Sequence, residues 1–183
     1  MTDWNNKEEV LEIVKRDGLL LEYVSEELRA DKEIVMTAVQ EDGWAFQFAS
    51  EEIRNDWELA SEAFNGWNEG SGSALVFASE KLKNNKDFIT EIFQAVEWEK
   101  ICPDDLRFVS EALRADNEVV LIAMESGYCL EYASEELKGD KGVVLAAIKG
   151  FENILANEFP FEEIDQVFDL RFPLQYASNE LRT

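Results

Sequence analysis

The sequence predicts an all-α protein, a solenoid-like helical-repeat stack of about six to seven short two-helix units. Three observations predict it. A nine-residue phrase recurs six times: a large apolar residue, any residue, an aromatic, Ala or Val, Ser, an acid or Asn, any residue, Leu or Ile, then Arg or Lys. Six residues past the Ser, five copies carry an Asp or Asn, at Asp31, Asp56, Asn85, Asp116 and Asp140. Apolar residues then fall at positions i, i+1, i+4 and i+5, the rhythm of one buried helical stripe.

The phrases run from Leu21 to Arg29, Phe46 to Arg54, Leu75 to Lys83, Leu106 to Arg114, Leu130 to Lys138 and Leu174 to Arg182. Their serines, Ser25, Ser50, Ser79, Ser110, Ser134 and Ser178, lie 25, 29, 31, 24 and 44 residues apart. The basic unit is therefore about 24 to 25 residues, and longer intervals are that unit plus an insertion. The whole chain, 1–183, is expected to form one repeat domain with an irregular C-terminal insert over 150–171.

A first helix is predicted over 7–16, where Val10, Leu11, Ile13 and Val14 make an apolar face. Each phrase then predicts a short helix or helical turn. Its aromatic (Tyr23, Phe48, Phe77, Phe108, Tyr132, Tyr176) is expected to be buried in every unit, as a wedge between neighbouring helices. The Ser is suited to cap a further turn, with the Glu after it favoured by the helix dipole. Leu28, Ile53, Leu82, Leu113, Leu137 and Leu181 anchor that turn to the core. The Asp or Asn beyond caps the unit's longer helix, predicted near 32–42, 57–65, 86–97, 117–126 and 141–150. Gly18, Gly43, Gly72 and Gly127 stand seven residues before a Ser, where a left-handed C-cap would end the preceding helix; Pro103 and Arg171 take that slot elsewhere. Within the insert, Pro160 is placed to start an amphipathic helix bearing Ile164, Val167 and Phe168, either as a cap on the stack or as a partner-binding appendage.

Composition narrows the function. With 46% hydrophobic residues over 183 positions the chain can bury a core without staples. Cys102 and Cys129, with no histidine present, imply neither a disulfide framework nor a zinc site. The absence of a signal-peptide pattern and of a membrane-length apolar run points to the cytosol. Forty acids against 17 bases give a formal charge of -23, which opposes direct contact with nucleic-acid phosphates or an anionic membrane and favours a basic protein partner; the bland reading is solubility alone.

These residues resemble a family of roughly 24-residue α-helical repeats of unknown function, found in bacterial, amoeba-associated and giant-virus proteins. The match is best at Asp31-Lys32-Glu33-Ile34-Val35, at Asp116 to Ala123 and from Gly127 to Lys138, and covers about 7–149 plus 174–182. Trp57, where the family tends to have Lys, and the segments 66–73 and 150–171 depart from the pattern. The resemblance implies a helical repeat fold and no activity.

Chemistry-bearing motifs are sparse. Without histidine there is no Ser-His, Cys-His or Glu-x-x-His arrangement, and 66–73 lacks the Gly-Lys-Ser/Thr ending of a phosphate loop. No cofactor, metal or catalytic residue is predicted, although close carboxylate pairs for hydrolysis arise easily among forty acids. The candidate partner-binding residues are the acids that follow the serines, Glu26, Glu51, Glu80, Glu111 and Glu135, and the tryptophans Trp57, Trp67 and Trp98. Units stacked about 8 to 10 Å apart would align those acids as a ladder. Their bland role is helix-end chemistry, paired with Arg29, Arg54, Lys83, Arg114 and Lys138 three residues on; that of the tryptophans is filling gaps in an irregular core. The expected function is a non-enzymatic acidic protein-binding module, an inhibitor or immunity-type protein masking a basic toxin or nucleic-acid-binding protein. The alternatives are a generic scaffold or effector module that takes a peptide or protein on its concave face, and a carboxylate-pair hydrolase.

Overall fold

The fold was obtained as a computed structural model, which describes residues 3–65, 74–95, 105–125, 129–158 and 173–178. The described residues are helical with no strand. The chain divides into two compact units, 1–88 and 89–183.

In the first unit, α1 (Lys7–Val14), α2 (Lys32–Glu41) and α3 (Trp57–Asn65) alternate with 3-10 turns over Gly18–Tyr23, Gly43–Phe48 and Ala74–Val76. α2 packs against both α1 and α3. α4 (Glu80–Lys83) and the start of α5 (Lys86–Ala95) follow. The second unit repeats the plan with 3-10 turns over Asp105–Phe108, Cys129–Tyr132 and Pro173–Tyr176. Its helices are α6 (Glu111–Arg114), α7 (Asn117–Glu125), α8 (Glu135–Lys138) and α9 (Lys141–Glu158), and α7 packs on α9.

The longer helices begin where the caps dictate. Asp31 Oδ1 accepts from the amides of Glu33 and Ile34 at 3.0 and 3.3 Å, and Asp116 Oδ1 from Glu118 and Val119 at 3.0 and 3.2 Å. Asp56, Asn85 and Asp140 each accept from the amide three residues on, at 3.0 to 3.1 Å. The i, i+1, i+4, i+5 stripe is the core: Ile34, Val35, Ala38, Val39, Leu59, Ala60, Ala63, Phe64, Phe88, Ile89, Val119, Val120, Ala123 and Met124 are all buried.

Three expectations need correction. The aromatic of the phrase is not the buried one: Tyr23 is 59% exposed, and Phe48, Phe77, Phe108, Tyr132 and Tyr176 are only half-buried. The buried positions flank it. Leu21, Phe46, Leu75, Leu106 and Leu130 stand two residues before it, and Val24, Ala49, Ala78, Val109, Ala133 and Ala177 directly after it. In a 3-10 turn, residues three apart lie one above the other, so positions one and four of the phrase share the inner face and position three turns away.

The glycines, too, play another part. Asp42 ends α2 in an extended conformation (φ −148, ψ 114) and its side chain at once caps the next 3-10 turn, accepting from Trp44 N at 2.8 Å; Asp17 does the same for Leu19 N at 3.1 Å. The helix is stopped by the Asp, and the following Gly opens the 3-10 turn instead of closing the helix. Gly18 is needed for close approach, since a Cβ there would overlap the Ala38 carbonyl oxygen and lie 3.2 Å from Asp42 N. Gly72 and Gly127 lie outside the described residues, as does the helix predicted from Pro160.

Finally, α9 does not stop near residue 150 but continues through the buried Gly150 to Glu158. A lone glycine costs a helix only about 1 kcal/mol, and Ile154 and Leu155 extend the apolar rhythm beyond it.

Leu106→Ala should therefore cost about 2 to 5 kcal/mol in urea denaturation, whereas Phe108→Ala, losing half-buried surface, should cost roughly 1 to 2 kcal/mol. Equal losses would return the aromatic to the core. Gly18→Ala should destabilise by more than the gain of about 0.4 to 1 kcal/mol that Gly to Ala gives at a permissive site, and the same melts test it.

Candidate functional site

One backbone contact organises the phrase positions. The Ser N–H donates to the carbonyl of the basic residue closing the preceding phrase: Ser50 to Arg29 O, Ser79 to Arg54 O, Ser134 to Arg114 O and Ser178 to Lys138 O, each at 3.0 Å. The first copy, lacking a preceding phrase, uses Trp4 O at 3.2 Å. The Ser Oγ then accepts from the amide three residues on, at 3.2 to 3.5 Å, in Leu28, Ile53, Leu82, Leu113 and Leu137. Ser50, Ser79 and Ser134 are thus docked on the preceding repeat by their N–H and capped forward by their hydroxyl, and the Glu that follows each faces out. Glu26, Glu51, Glu80, Glu111 and Glu135 are all exposed.

The basic residue three positions on sorts these acids into two kinds. Lys83 Nζ reaches Glu80 at 3.1 Å and Lys138 Nζ reaches Glu135 at 2.8 Å. The lysine side chains are 13% and 17% exposed, their partners 89% and 91%, so the acid end of each pair lies in water and the pair is weak. Where a described phrase ends in Arg, no such pair forms among the described residues. Arg29, Arg54 and Arg114 turn inward with buried Nε atoms, and Arg54 Nη1 donates to Phe77 O of the next phrase at 3.4 Å. Glu26, Glu51 and Glu111 consequently make no ion pair among the described residues. The difference follows from the chemistry of the cations: a planar, weakly hydrated guanidinium packs into the inter-repeat seam, whereas an ammonium seeks the point charge beside it.

A second set of contacts escaped the sequence reading. Lys7 Nζ, in the first turn of α1, lies 2.7 Å from Asp31 and 2.8 Å from Glu33 at the start of α2; Lys32 lies 2.8 Å from Asp56 and 2.9 Å from Glu58 at the start of α3. Part burial pushes the Asp31 and Asp56 carboxyls up, but the hydrogen bonds from these lysines and from the helix-start amides outweigh it and hold both below the usual carboxylate value. Lys7 and Lys32 are held above the usual lysine value by hydrogen bonds to the same acids. The available signal was the recurrence of Lys one repeat ahead of an Asp-x-Glu.

Trp57 occupies the corresponding lysine slot. It is half-buried, with its ring edge-on to Phe88 at 5.3 Å. Trp4 lies 5.8 Å from Tyr23 and Trp44 5.8 Å from Phe77, so these rings cover aromatics of the phrases. Trp67 and Trp98 lie outside the described residues. Among the described residues, no group of three or more Cys, Asp or Glu could hold a metal ion, and no helix is long and apolar enough to cross a membrane.

The ion pairs carry a pH signature. Because the two Asp are lowered, their contribution to stability is present above the ordinary carboxylate pKa of about 3.9 and is lost as pH falls through the lower native value. Because the two Lys are raised, theirs is present below about 10.4 and is lost as pH rises beyond it. Lys7→Met/Lys32→Met should therefore be less stable than wild type between about pH 5 and 9, with the two converging below about pH 3 and above about pH 11. A difference in melting temperature that stays constant across this range would assign the effect to packing.

The chain belongs to the family described as Domain of unknown function (DUF4116), whose model matches residues 6–54, 31–68 and 100–138, more than half of the sequence. No curated protein and no solved structure matches it.

Proposed function

We propose that the chain is a non-enzymatic protein-binding module, its repeats stacked solenoid-fashion within each unit, that takes a basic protein on its phrase acids, Glu26, Glu51 and Glu80 in the first unit and Glu111 and Glu135 in the second. The carrying observation is the Ser N–H to carbonyl contact repeated inside each unit, which supports a spacing of one exposed carboxylate per repeat there, while the arginines that could neutralise Glu26, Glu51 and Glu111 turn inward. A formal charge of -23 supports the same reading, since it accelerates encounter with a basic surface and disfavours phosphate backbones. In its concrete form the module is a cytosolic inhibitor or immunity-type protein that masks the positive face of a toxin or nucleic-acid-binding protein. Such a mask works by occupying the surface that phosphates would use, and it requires no catalytic group. Trp57, Trp67 and Trp98 are the candidate desolvated anchors, Trp being among the residue types enriched at binding hot spots.

The test begins with a pull-down from the native cell at low and moderate salt, followed by association kinetics on the captured basic protein. Replacing Glu26, Glu51, Glu80, Glu111 and Glu135 by Gln should slow association and flatten its salt dependence. Glu8, Glu12, Glu22, Glu41 and Glu52, which are exposed and outside the ladder, form a control set with the same loss of charge and should have a smaller effect. Equal effects from the two sets would reduce the ladder to helix-end chemistry. Folding stability should change little in either, at about 0 to 1 kcal/mol per exposed pair.

A further inference from the structure

Lys7 and Lys32, in the first turns of α1 and α2, reach the acids that begin the next helix. Lys141 stands at the same position of α9, yet it is exposed and makes no ion pair among the described residues. One turn on, Leu145 is 54% exposed, whereas Met36 and Leu121 in the same slot of α2 and α7 are half-buried. Residues four apart share a helix face, so α9 presents an uncommitted cation and a bare apolar side chain on one stripe.

The complementary surface lies on α1. A groove of about 380 Å³ runs along this helix, lined by Glu8, Glu9, Glu12, Ile13 and Arg16. A shift of 25 residues carries these positions onto Glu33, Ile34, Thr37, Ala38 and Glu41 of α2, and there the face is covered. α1 packs against α2, Lys7 Nζ lies 2.8 Å from Glu33, and Ile34 and Ala38 are fully buried. On α1 the same positions are open: Glu8 and Glu9 are exposed and Ile13 is half-buried. Glu9 accepts from Asp3 N at 3.0 Å and Glu12 pairs with Lys15 at 3.3 Å, which leaves Glu8 as the uncommitted acid. The groove therefore has the form that a helix with a first-turn lysine already fills once in this molecule.

We propose that the α1 groove takes α9 of a second copy of this chain, with Lys141 on Glu8 and Leu145 against Ile13. The contact repeats between copies what α1 makes with α2 inside one, and its two faces are complementary in charge. Lys149, two turns beyond Lys141, would come level with Arg16, so the first two turns carry the pairing. Because the two faces differ, the contact is head-to-tail and each pair of copies keeps one of each face free. A formal charge of -23 per copy opposes self-contact, while Leu145 on Ile13 is indifferent to salt; the association is therefore weak at low ionic strength and strengthens as the repulsion is screened. Capture of a basic protein has the opposite salt dependence, so the two contacts are separable.

Sedimentation equilibrium of the full chain, over a wide concentration range at low and moderate salt, tests this. The average mass of the wild type should rise with concentration, and more so at moderate salt. Leu145→Glu spoils only the α9 face and Glu8→Lys only the α1 face, so each variant alone should stay monomeric. Mixed, they retain one intact pair of faces between them and should form a one-to-one dimer that grows no further. Lys141→Met, which removes a charge without reversing one, should weaken wild-type association up to about fivefold, the upper scale of an exposed ion pair. Leu145, Glu8 and Lys141 are exposed, and an unchanged circular dichroism spectrum confirms that each variant folds. A wild type of constant monomer mass, a single variant that still associates alone, or a mixture that stays monomeric would each overturn the contact. None of these results bears on the comparison of the two five-residue variants, so the ladder stands or falls separately.

Discussion

The Ser N–H donated to the carbonyl closing the preceding phrase is the contact on which the other regularities depend. It joins two backbones at a fixed residue, so it sets register as well as proximity, and it recurs at 3.0 Å from Ser50, Ser79, Ser134 and Ser178. With the backbone fixed there, the Ser hydroxyl can only cap forward, and the Leu or Ala positions on the inner face of the 3-10 turn point to the core. The acid after the Ser then has only solvent to face. Small side chains before the Ser are part of the same device, because Ala49, Ala78, Ala133 and Ala177 are buried where neighbouring backbones meet. Gly18 is the extreme case, in contact with the Ala38 carbonyl.

How far the sequence revealed this varied with the range of the interaction. Local signals did well: Asp31, Asp56, Asn85, Asp116 and Asp140 each cap the helix expected of them, because an N-cap is decided within three residues. The recurrence of the phrase aromatic suggests burial, but the period of a 3-10 turn, which decides its face, turns it away from the core. The glycines misled for a similar reason. A Gly after a helix suggests a left-handed cap, but here Asp17 and Asp42 make the turn, and the demand on Gly18 comes from a backbone twenty residues away. Of the candidate ladder, the exposure of all five acids agreed with their place after a Ser. Which of them keep a partner depended on whether Arg or Lys closes the phrase, a choice of direction that only the packed neighbour decides.

The distribution of cations explains how a chain of this composition places its excess of acids on the surface, Asp105 being the buried acid among the described residues. Ten of its 17 Lys and Arg stand at two repeat positions, the end of the phrase (Arg29, Arg54, Lys83, Arg114, Lys138, Arg182) and the first turn of the longer helix (Lys7, Lys32, Lys86, Lys141). At Arg29, Arg54 and Arg114 the cation is drawn into the seam, at Lys83 and Lys138 it pairs with the acid of its own phrase, and at Lys7 and Lys32 it bridges to the acids of the next helix. Positive charge is thereby spent between and within repeats, and the excess of acids is left to the outward positions. Segregation of this kind gives a larger field for the same net charge than an interspersed surface would.

Trp57 shows which of these forces the fold can do without. It stands in the lysine slot, and an edge-on ring contact with Phe88 replaces the bridge made by Lys7 and Lys32 in the two preceding repeats. The hydrogen bond from Ser79 to Arg54 O beside it keeps the same 3.0 Å length as the others. Register is therefore held by the backbone contact and the caps, and the bridge is an exchangeable reinforcement. Surface ion pairs weaken in salt, whereas buried amide contacts and apolar stripes are little affected by it. A protein arranged this way can lose most of its long-range attraction to positive charge as ionic strength rises and still keep its shape, so the field around it and its folding depend on forces that can be tuned apart.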